Sequence, residues 1–294
     1  MPIKKSSVVI GVDLGGTKIA VARVNLATGE ISGCKAVATD AARGFGAVLE
    51  TLLTLVEDIR TPEVTAVGVG VPGIVDADGG HIVRLPNIPG AEGVDLAAIM
   101  TAHLDLPVVV GNDAQSFALA EALHGAGKGH DPVVGITLGT GVGGGIVVGG
   151  KLLRGAHGFA GEVGHALLVP GQSPVPGHGP RGEVEQFLSG TALAKRCSQA
   201  EKPEDLLDGA ACEFLHPHVI EELAWFLASL SCILDPAIIV LGGSVGKALK
   251  QHLPALAEQL KRWLPAEFPV PPCAIAKLKD PGVLGAALIT KGRF

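Results

Sequence analysis

The sequence predicts an α/β fold with two lobes and a cleft between them, and two observations support this. First, residues 8–24 and 133–148 each contain two apolar, β-branched runs around a glycine-rich polar tip, about half a chain apart. Second, segments with helical apolar spacing alternate with short segments typical of buried strands. A repeated hairpin of this kind indicates two lobes, each of which begins with the same type of hairpin.

The first tip has the composition of a phosphate-binding turn. Gly15 and Gly16 lack a Cβ, so their backbone N–H groups can approach a ligand closely, while Thr17 adds a hydroxyl and Lys18 a charge. Asp13 ends a buried strand and needs a cation or hydrogen-bond donors there. A metal-bound phosphate accounts for both features, and an ordinary Gly-Gly turn is the alternative interpretation.

The second tip consists of Gly139, Thr140 and Gly141. Neither tip has the Gly-Lys-Ser/Thr ending of a Walker A loop, and neither opens a helix as a dinucleotide-binding fingerprint does. Backbone N–H groups and small hydroxyls on both tips would hold a nucleotide polyphosphate without a large basic patch. The pair of tips therefore predicts a nucleotide site.

Composition limits the classes of function. A chain of 294 residues with 47% hydrophobic residues is long and apolar enough for two folded lobes. The net charge of -6 disfavours a nucleic-acid or anionic-membrane partner. No apolar run approaches the roughly 20 residues of a membrane span, and the first one is too short for a signal peptide. These features predict a cytoplasmic enzyme that acts on small molecules.

The five cysteines are scattered and never occur as Cys-x-x-Cys; they are Cys34, Cys197, Cys212, Cys232 and Cys273. We expect them to be reduced and to behave as small apolar residues.

The other elements follow from apolar spacing along the chain. Apolar residues recur every three or four positions in four segments and predict helices at 41–59, 204–215, 219–234 and 249–264. Short β-branched runs predict buried strands at 64–71, 107–110 and 237–241. A further helix is expected from Ala114 to a stop near Gly125, and residues 282–290 are apolar enough to pack back onto the N-terminal lobe.

A strand-to-helix junction at Asn112 and Asp113 is the candidate catalytic position. Either side chain is well placed to cap the helix that follows, and a plain helix cap is one interpretation. A general base for a hydroxyl group needs an ionised carboxylate on a rigid element, facing the phosphate that is transferred. Asp113, between the two tips, meets that need.

Glu162 and His165 form a second candidate pair. They lie three residues apart, so on a helical turn they share a face and reach one ligand. Carboxylate and imidazole acceptors suit a polyol, whose hydroxyl groups donate hydrogen bonds. A solvated loop is the alternative.

Six motifs in order make the sequence similar to the ROK-family sugar kinases. They start at Asp13, Gly111, Leu138, Gly161, Glu185 and Leu241 and read DLGGTK, GNDA, LGTGVGGG, GEVGH, EQFLSG and LGGSV. The resemblance covers essentially the whole chain and implies the two-lobed, actin-like ATPase fold, which is ribonuclease H-like, with a central cleft. It also implies one lobe of residues 1–111 plus 280–294 and another of residues 112–279.

The resemblance implies that ATP transfers its γ-phosphate to a hexose hydroxyl, with Mg²⁺ and both tips on the phosphates and Asp113 as general base. It implies sugar contacts by a set of residues from both lobes, namely Gly73, Asn87, Asn112, Asp113, Glu162, His165 and Glu185. It places adenosine at Gly242 and Gly243. On sequence alone, Asn87 is a turn residue and Ser244 a helix cap.

The chain departs from the family pattern in one segment. Most relatives bind a structural zinc through cysteines in Cys-x-Cys-Gly-x-x-Gly-Cys, but residues 176–183 read PGHGPRGE. We therefore expect a loop without metal; a three-ligand site of His165, His178 and Glu183 is the alternative, although structural zinc sites are almost always four-coordinate. Without zinc, the orientation of the His165 ring is an open question.

The resemblance favours glucose as the substrate and a homo-oligomer, such as a dimer, as the assembly. An N-acetylmannosamine or other N-acetylhexosamine kinase, a sugar binder without activity, and polyphosphate as the donor remain alternatives. A sugar-sensing transcriptional repressor of the family needs an N-terminal helix-turn-helix domain, and a first strand that begins by Val8 leaves no room for one.

Overall fold

The computed structural model describes residues 8–76, 78, 80–171 and 182–291. The chain forms two compact units. Unit 1 comprises Met1–Ala120, Arg154–Ala160 and Leu278–Phe294, and unit 2 comprises Glu121–Leu153 and Gly161–Lys277. The lobe boundaries expected from the sequence, at 111/112 and 279/280, stay a prediction about how the chain divides functionally.

Unit 1 is built on a five-stranded sheet. Its described strands are β1 (Val8–Leu14), β2 (Lys18–Asn25), β3 (Ile31–Ala38), β4 (Val64–Val71) and β7 (Val108–Asn112), with β5 (Ile74–Val75) and β6 (Ile82–Arg84) paired separately. The order is β3-β2-β1-β4-β7, in which β1 to β3 are antiparallel while β4 and β7 run parallel to β1. The hairpin and the strand at 64–71 are confirmed.

Unit 2 repeats this pattern. Its described strands are β8 (Val133–Leu138), β9 (Val142–Val148), β10 (Lys151–Leu152), β11 (Ile238–Gly242) and β12 (Cys273–Ile275). They are ordered β10-β9-β8-β11-β12, again with three antiparallel strands followed by two parallel ones. The sequence predicts that one hairpin is repeated, and the structure shows that the whole five-stranded sheet is repeated.

The described helices are α1 (Phe45–Ile59), α2 (Leu96–Leu104), α3 (Asp113–His124), α4 (Glu185–Leu188), α5 (Gly190–Arg196), α6 (Asp205–Asp208), α7 (Leu215–Leu234), α8 (Gly243–Ala248), α9 (Leu253–Trp263) and α10 (Pro281–Leu288). The helices α1, α3, α7 and α9 lie where the apolar spacing predicts them, whereas the spacing does not predict α2, α4 or α5. α1 begins later than expected because Gly44, with φ of 82°, separates it from a short 3-10 turn at Ala41–Arg43.

One predicted helix, at 204–215, is wrong as a continuous element. The chain forms α6, then turns to extended backbone at Gly209 and continues as a 3-10 turn at Ala210–Cys212. Similarly, the segment 249–264 begins as a 3-10 turn, and α9 starts only at Leu253. Pro254, which lacks an N–H, fits the first turn of a helix but not its interior.

The core of unit 2 is organised around α7. Among the described helices, α7 alone has the length and apolar composition of a membrane span, with 20 residues and a mean hydropathy of 1.3. However, Val219, Leu223 and Leu227 on this helix are fully packed in the core of unit 2. Burial of this stripe is typical of the central helix of a folded domain.

The C-terminal helix packs onto the sheet of unit 1, as predicted. Gly11 on β1 and Gly68 on β4 lie against the backbone of α10, where a Cβ would overlap the carbonyl groups of Val283 and Ala286. The two glycines thus allow helix and sheet to approach more closely than side chains permit.

The expectation of five reduced, apolar cysteines is wrong. Cys197 and Cys212 form a disulfide with a Cα–Cα distance of 5.9 Å, because the end of α5 and the segment before α7 meet in the core. Cys34 and Cys232 are exposed. Burial raises the pKa of the Cys273 thiol to about 12, so this residue does behave as a small apolar side chain.

Candidate active site

The first tip closes the β1–β2 hairpin. Leu14 pairs with Ile19, so residues 15–18 form the turn. The turn is held by its own backbone, since the N–H of Gly15 donates to the carbonyl of Lys18 at 2.9 Å. Thr39 braces it from β3 through a hydrogen bond from Oγ1 to the Gly15 carbonyl at 2.7 Å. Thr17 and Lys18 are exposed, so their hydroxyl and ammonium groups are accessible to a ligand.

Asp13 lies beside this tip in a partly buried position. Burial raises the pKa of its carboxyl group, the nearby Asp280 raises it further, and Lys18 opposes this shift. Within the described part of the chain, no hydrogen bond reaches the Asp13 carboxylate. A partly buried carboxylate without a hydrogen-bond donor fits a site for a cation or for a metal-bound water.

Asn87 lies against the same tip. A Cβ at Gly16 would be 3.2 Å from the Cβ of Asn87, so the exposed side chain of Asn87 rests on the glycine. The structure therefore brings a predicted sugar residue next to a predicted phosphate residue within unit 1. This position of Asn87 is consistent both with a turn residue and with a residue that contacts a ligand.

The junction of β7 and α3 orients Asp113. Asn112 is the helix cap: its Oδ1 accepts a hydrogen bond from the N–H of Gln115 at 2.9 Å. Its Nδ2 donates to the carbonyl of Gly73 at 3.0 Å. Asp113 is the first residue of the helix, and its Oδ1 accepts from the N–H of Ala114 at 2.8 Å. The positive end of the helix dipole stabilises a negative carboxylate there.

Gln115 is a residue of this region that sequence reasoning missed. Its side chain is buried, and its Nε2 donates to the carbonyl groups of Gly158 and Ala160, each at 3.1 Å. These bonds attach the first turn of α3 to the segment Arg154–Ala160 of unit 1. The signal in the sequence was weak, because a glutamine in a first helical turn is usually solvated.

The second tip, in unit 2, is held by the start of α5. Leu138 pairs with Val142, which places Gly139, Thr140 and Gly141 in the turn. The carbonyl of Gly139 accepts from the N–H of Gly190 at 2.6 Å. The carbonyl of Thr140 accepts from Oγ1 of Thr191 at 2.8 Å. Such bracing keeps the turn in one shape before any ligand binds.

Glu162, His165 and Glu185 come together in unit 2. Glu162 precedes a 3-10 turn, Val163–His165, so this acid and the imidazole share a turn as predicted. Burial raises the pKa of Glu162, His165 lowers it and Glu185 raises it, which makes the three groups electrostatic neighbours. Glu185 also reaches the second tip, since its Oε2 accepts from the N–H of Val142 at 2.9 Å.

The alternative metal site of His165, His178 and Glu183 can be compared with the structure only in part, because His178 lies outside the described residues. In the described ranges, no group of three or more His, Cys, Asp or Glu side chains has the geometry of a metal site. The structure does join the two remaining candidates: Nδ1 of His165 lies 3.2 Å from Oε1 of Glu183. The sequence suggests Glu183 only as a metal ligand and does not predict its pairing with His165.

Gly242 and Gly243 form the entry to α8. Gly242 is the residue at the N-cap, so the interpretation of Ser244 as cap is wrong. Gly243 adopts φ of 78°, and a Cβ there would overlap the backbone of Leu138. The chain therefore presents bare backbone at the end of β11, next to the strand that leads into the second tip.

Two units with the same strand order, each with a glycine tip between antiparallel strands, define an actin-like ATPase fold. Sequence comparison agrees with this class, because the ROK family model matches residues 9–293. The chain belongs to the ROK family, and the resemblance found in the motifs is confirmed.

Individual relatives are sugar kinases. A glucokinase of Thermotoga maritima is 32% identical over 97% of this chain and 98% of its own length. An N-acetylmannosamine kinase of Escherichia fergusonii is 35% identical, with 96% and 98% covered. A crystal structure of a ROK family glucokinase from Streptomyces griseus in complex with glucose and AMPPNP is 34% identical, with a TM-score of 0.76 and 96% and 99% covered. The chain is therefore a sugar kinase.

Proposed function

We propose that this protein is an ATP-dependent hexokinase that converts glucose to glucose 6-phosphate. The observation that carries the proposal is the position of Asp113 at the start of α3, where its carboxylate accepts a hydrogen bond from the N–H of Ala114. The preceding residue, Asn112, caps the helix at Gln115 and donates a hydrogen bond to the carbonyl of Gly73, which fixes this junction. A carboxylate fixed in this way on a rigid element is suited to general-base catalysis.

In the proposed reaction, Asp113 accepts the proton of the sugar hydroxyl while that oxygen forms a bond to the γ-phosphorus of ATP. The bond from the γ-phosphorus to the bridging oxygen breaks, and ADP leaves. Asn87, Gly73 and Asn112 in unit 1 would bind the sugar. Glu162, His165 and Glu185 in unit 2 would accept hydrogen bonds from its other hydroxyls, because the two other groups are close enough to Glu162 to affect its pKa.

ATP and Mg²⁺ would be held by the two tips. Asp13 fits a cation because its carboxylate is partly buried and has no hydrogen-bond partner within the described chain. Lys18 and the glycine turns would hold phosphate oxygens, and Gly242 and Gly243 would lie along the adenosine. When bound, Mg²⁺ would neutralise charge on the phosphates.

An N-acetylhexosamine is the second candidate substrate, because relatives named N-acetylmannosamine kinase are as similar as those named glucokinase. A sugar binder without activity is a further alternative. We expect the enzyme to work in the cytoplasm as a homo-oligomer, without nucleic-acid or membrane partners.

The test is ADP release from ATP and Mg²⁺ across glucose, mannose, fructose, N-acetylglucosamine and N-acetylmannosamine, with polyphosphate as a second donor. Turnover highest on glucose and lost in Asp113→Asn supports the proposal. Highest turnover on an N-acetylhexosamine selects the second candidate. No turnover with any sugar, combined with a rise in melting temperature on sugar binding, supports the binding protein instead.

A further inference from the structure

The carboxylate of Glu183 is buried next to the exposed imidazole of His165, one of the proposed sugar-binding residues. Nδ1 of His165 lies 3.2 Å from Oε1 of Glu183. The side chain of His165 is 47% exposed whereas that of Glu183 is 10% exposed. Nδ1 therefore faces a carboxylate from the protein interior, and Nε2 makes no hydrogen bond within the described ranges.

The backbone around Glu183 fixes this carboxylate. The N–H of Leu168 donates to the carbonyl of Gly182 at 2.7 Å, and the N–H of Val184 donates to that of Ala166 at 2.8 Å. Gly182 has φ of 91°, and a Cβ there would overlap the carbonyl of Val169. Glu183 thus lies between two backbone hydrogen bonds to the very segment that follows His165.

The pairing dictates which nitrogen of the ring carries a proton. An ionised carboxylate only accepts hydrogen bonds, so Nδ1 of His165 must be the donor in the pair. In a neutral imidazole, Nε2 then presents a lone pair. In this state Nε2 can accept a hydrogen bond from a sugar hydroxyl but cannot donate one.

We propose that Glu183 is a positioning residue that fixes the tautomer and orientation of His165 for sugar binding. This rests on the proposed function, in which His165 contacts the sugar. In this chain the histidine is oriented by a buried carboxylate through a hydrogen bond, the arrangement that orients many functional histidines. The proposal also answers what holds this ring in a chain without the usual cysteines.

The test compares Glu183→Ala and Glu183→Gln with Asp208→Asn. The control replaces the carboxylate of another histidine–carboxylate pair of unit 2 by an amide; in this pair Nε2 of His252 lies 2.7 Å from Oδ1 of Asp208, at residues outside the candidate site. Nitrogen-15 NMR reports the tautomer of His165, assigned with His165→Gln. Steady-state assays report KM for the sugar and for ATP separately.

We expect the wild type to show the Nδ1–H tautomer at His165. Glu183→Ala should shift this signal and raise the sugar KM about tenfold, with the ATP KM unchanged. Glu183→Gln should restore part of the affinity, because its amide oxygen still accepts from Nδ1–H. The Asp208→Asn control should leave the His165 signal and the sugar KM as they are.

Three results would overturn the proposal. These are an Nε2–H tautomer in the wild type, a Glu183→Ala variant with unchanged signal and sugar KM, or a loss of sugar affinity on chelator treatment equal to that in Glu183→Ala. If Glu183→Ala does not fold, the Glu183→Gln spectrum decides alone. If no sugar is phosphorylated, the proposed function fails, whereas the spectrum and calorimetric sugar binding still decide the role of Glu183.

Discussion

Gly282 in the first turn of α10 lies directly against the carboxylate of Asp13 at the end of β1. A Cβ at position 282 would overlap the carboxylate atoms of Asp13. The position of the predicted cation-binding carboxylate thus depends on a residue almost at the other end of the chain. This contact makes Gly282 a sensitive site for substitution.

We expect Gly282→Ala to displace Asp13 and to lower kcat/KM for ATP by about tenfold, because a misplaced group at a reaction site costs that much or more. The free energy of unfolding should change by no more than about 1 kcal/mol, because the atoms that must move are the end of the Asp13 side chain rather than backbone. Assays at varied Mg²⁺ and ATP, with urea unfolding, measure both effects.

The control is Gly46→Ala on α1, where nothing lies within 4 Å of the added Cβ. This substitution should stabilise the helix by up to about 1 kcal/mol and leave activity unchanged. Equal behaviour of the two variants would contradict the assigned role of Gly282.

Asp13→Asn should stabilise the unliganded protein while abolishing phosphoryl transfer. Burial raises the pKa of Asp13 above its ordinary 3.8, so the folded state disfavours the ionised form. The resulting cost is absent below the unfolded pKa, develops as pH rises from there through the folded pKa and is complete above the folded pKa. An amide removes this cost and with it the charge that would hold a cation.

Melting temperatures of wild type and Asp13→Asn at pH 7 without ligands test this expectation. A variant that melts lower than wild type would mean that the carboxylate has a stabilising partner. The same comparison with Mg²⁺ and ATP present should reverse the order.

Asn112→Asp separates the cap of α3 from the bond to Gly73. An aspartate retains the oxygen that caps Gln115, so stability should stay within about 1 kcal/mol of wild type. It loses the donor to the Gly73 carbonyl, so the sugar KM should rise. Asn112→Ala removes both functions and should cost about 1 kcal/mol more. An unchanged sugar KM in both variants would remove Asn112 from the sugar site.

Acid should destabilise the protein through His216 at the start of α7. Burial and the neighbouring His252 lower the pKa of His216 below its ordinary 6.5, and Asp208 opposes this shift. The Nε2 atom of His216 is buried and has no hydrogen-bond partner among the residues that the structure describes. The unfolded state therefore binds this proton more readily. The contribution of neutral His216 to the free energy of unfolding is therefore complete above pH 6.5, and it is lost as the pH falls from 6.5 toward the folded pKa.

Unfolding free energies between pH 5 and 8 should fall less steeply toward acid in His216→Phe, whose ring still packs on His252. The exposed His103 of α2 supplies the control, His103→Asn, which should keep the wild-type slope. If the free energy of unfolding falls equally with pH in all three proteins, a group other than His216 causes the loss of stability in acid.

Local sequence determined the two hairpins with their tips, the strand Val64–Val71 and the helix after Asn112. These elements depend on β-branched runs, glycine turns and helix caps, whose preferences act within a few residues. The six motifs likewise identified the ROK family. The relation of Glu162 to His165 was predictable too, because both lie on one turn.

Tertiary structure alone decided the contacts between distant segments. The contact of Gly282 with Asp13, the disulfide of Cys197 with Cys212 and the pairing of Glu183 with His165 join residues whose spacing carries no periodic signal. The break of the helix predicted at 204–215 has the same origin. Apolar spacing predicts which face of a segment is buried, but the free energy of closing long loops and packing side chains determines which segments meet.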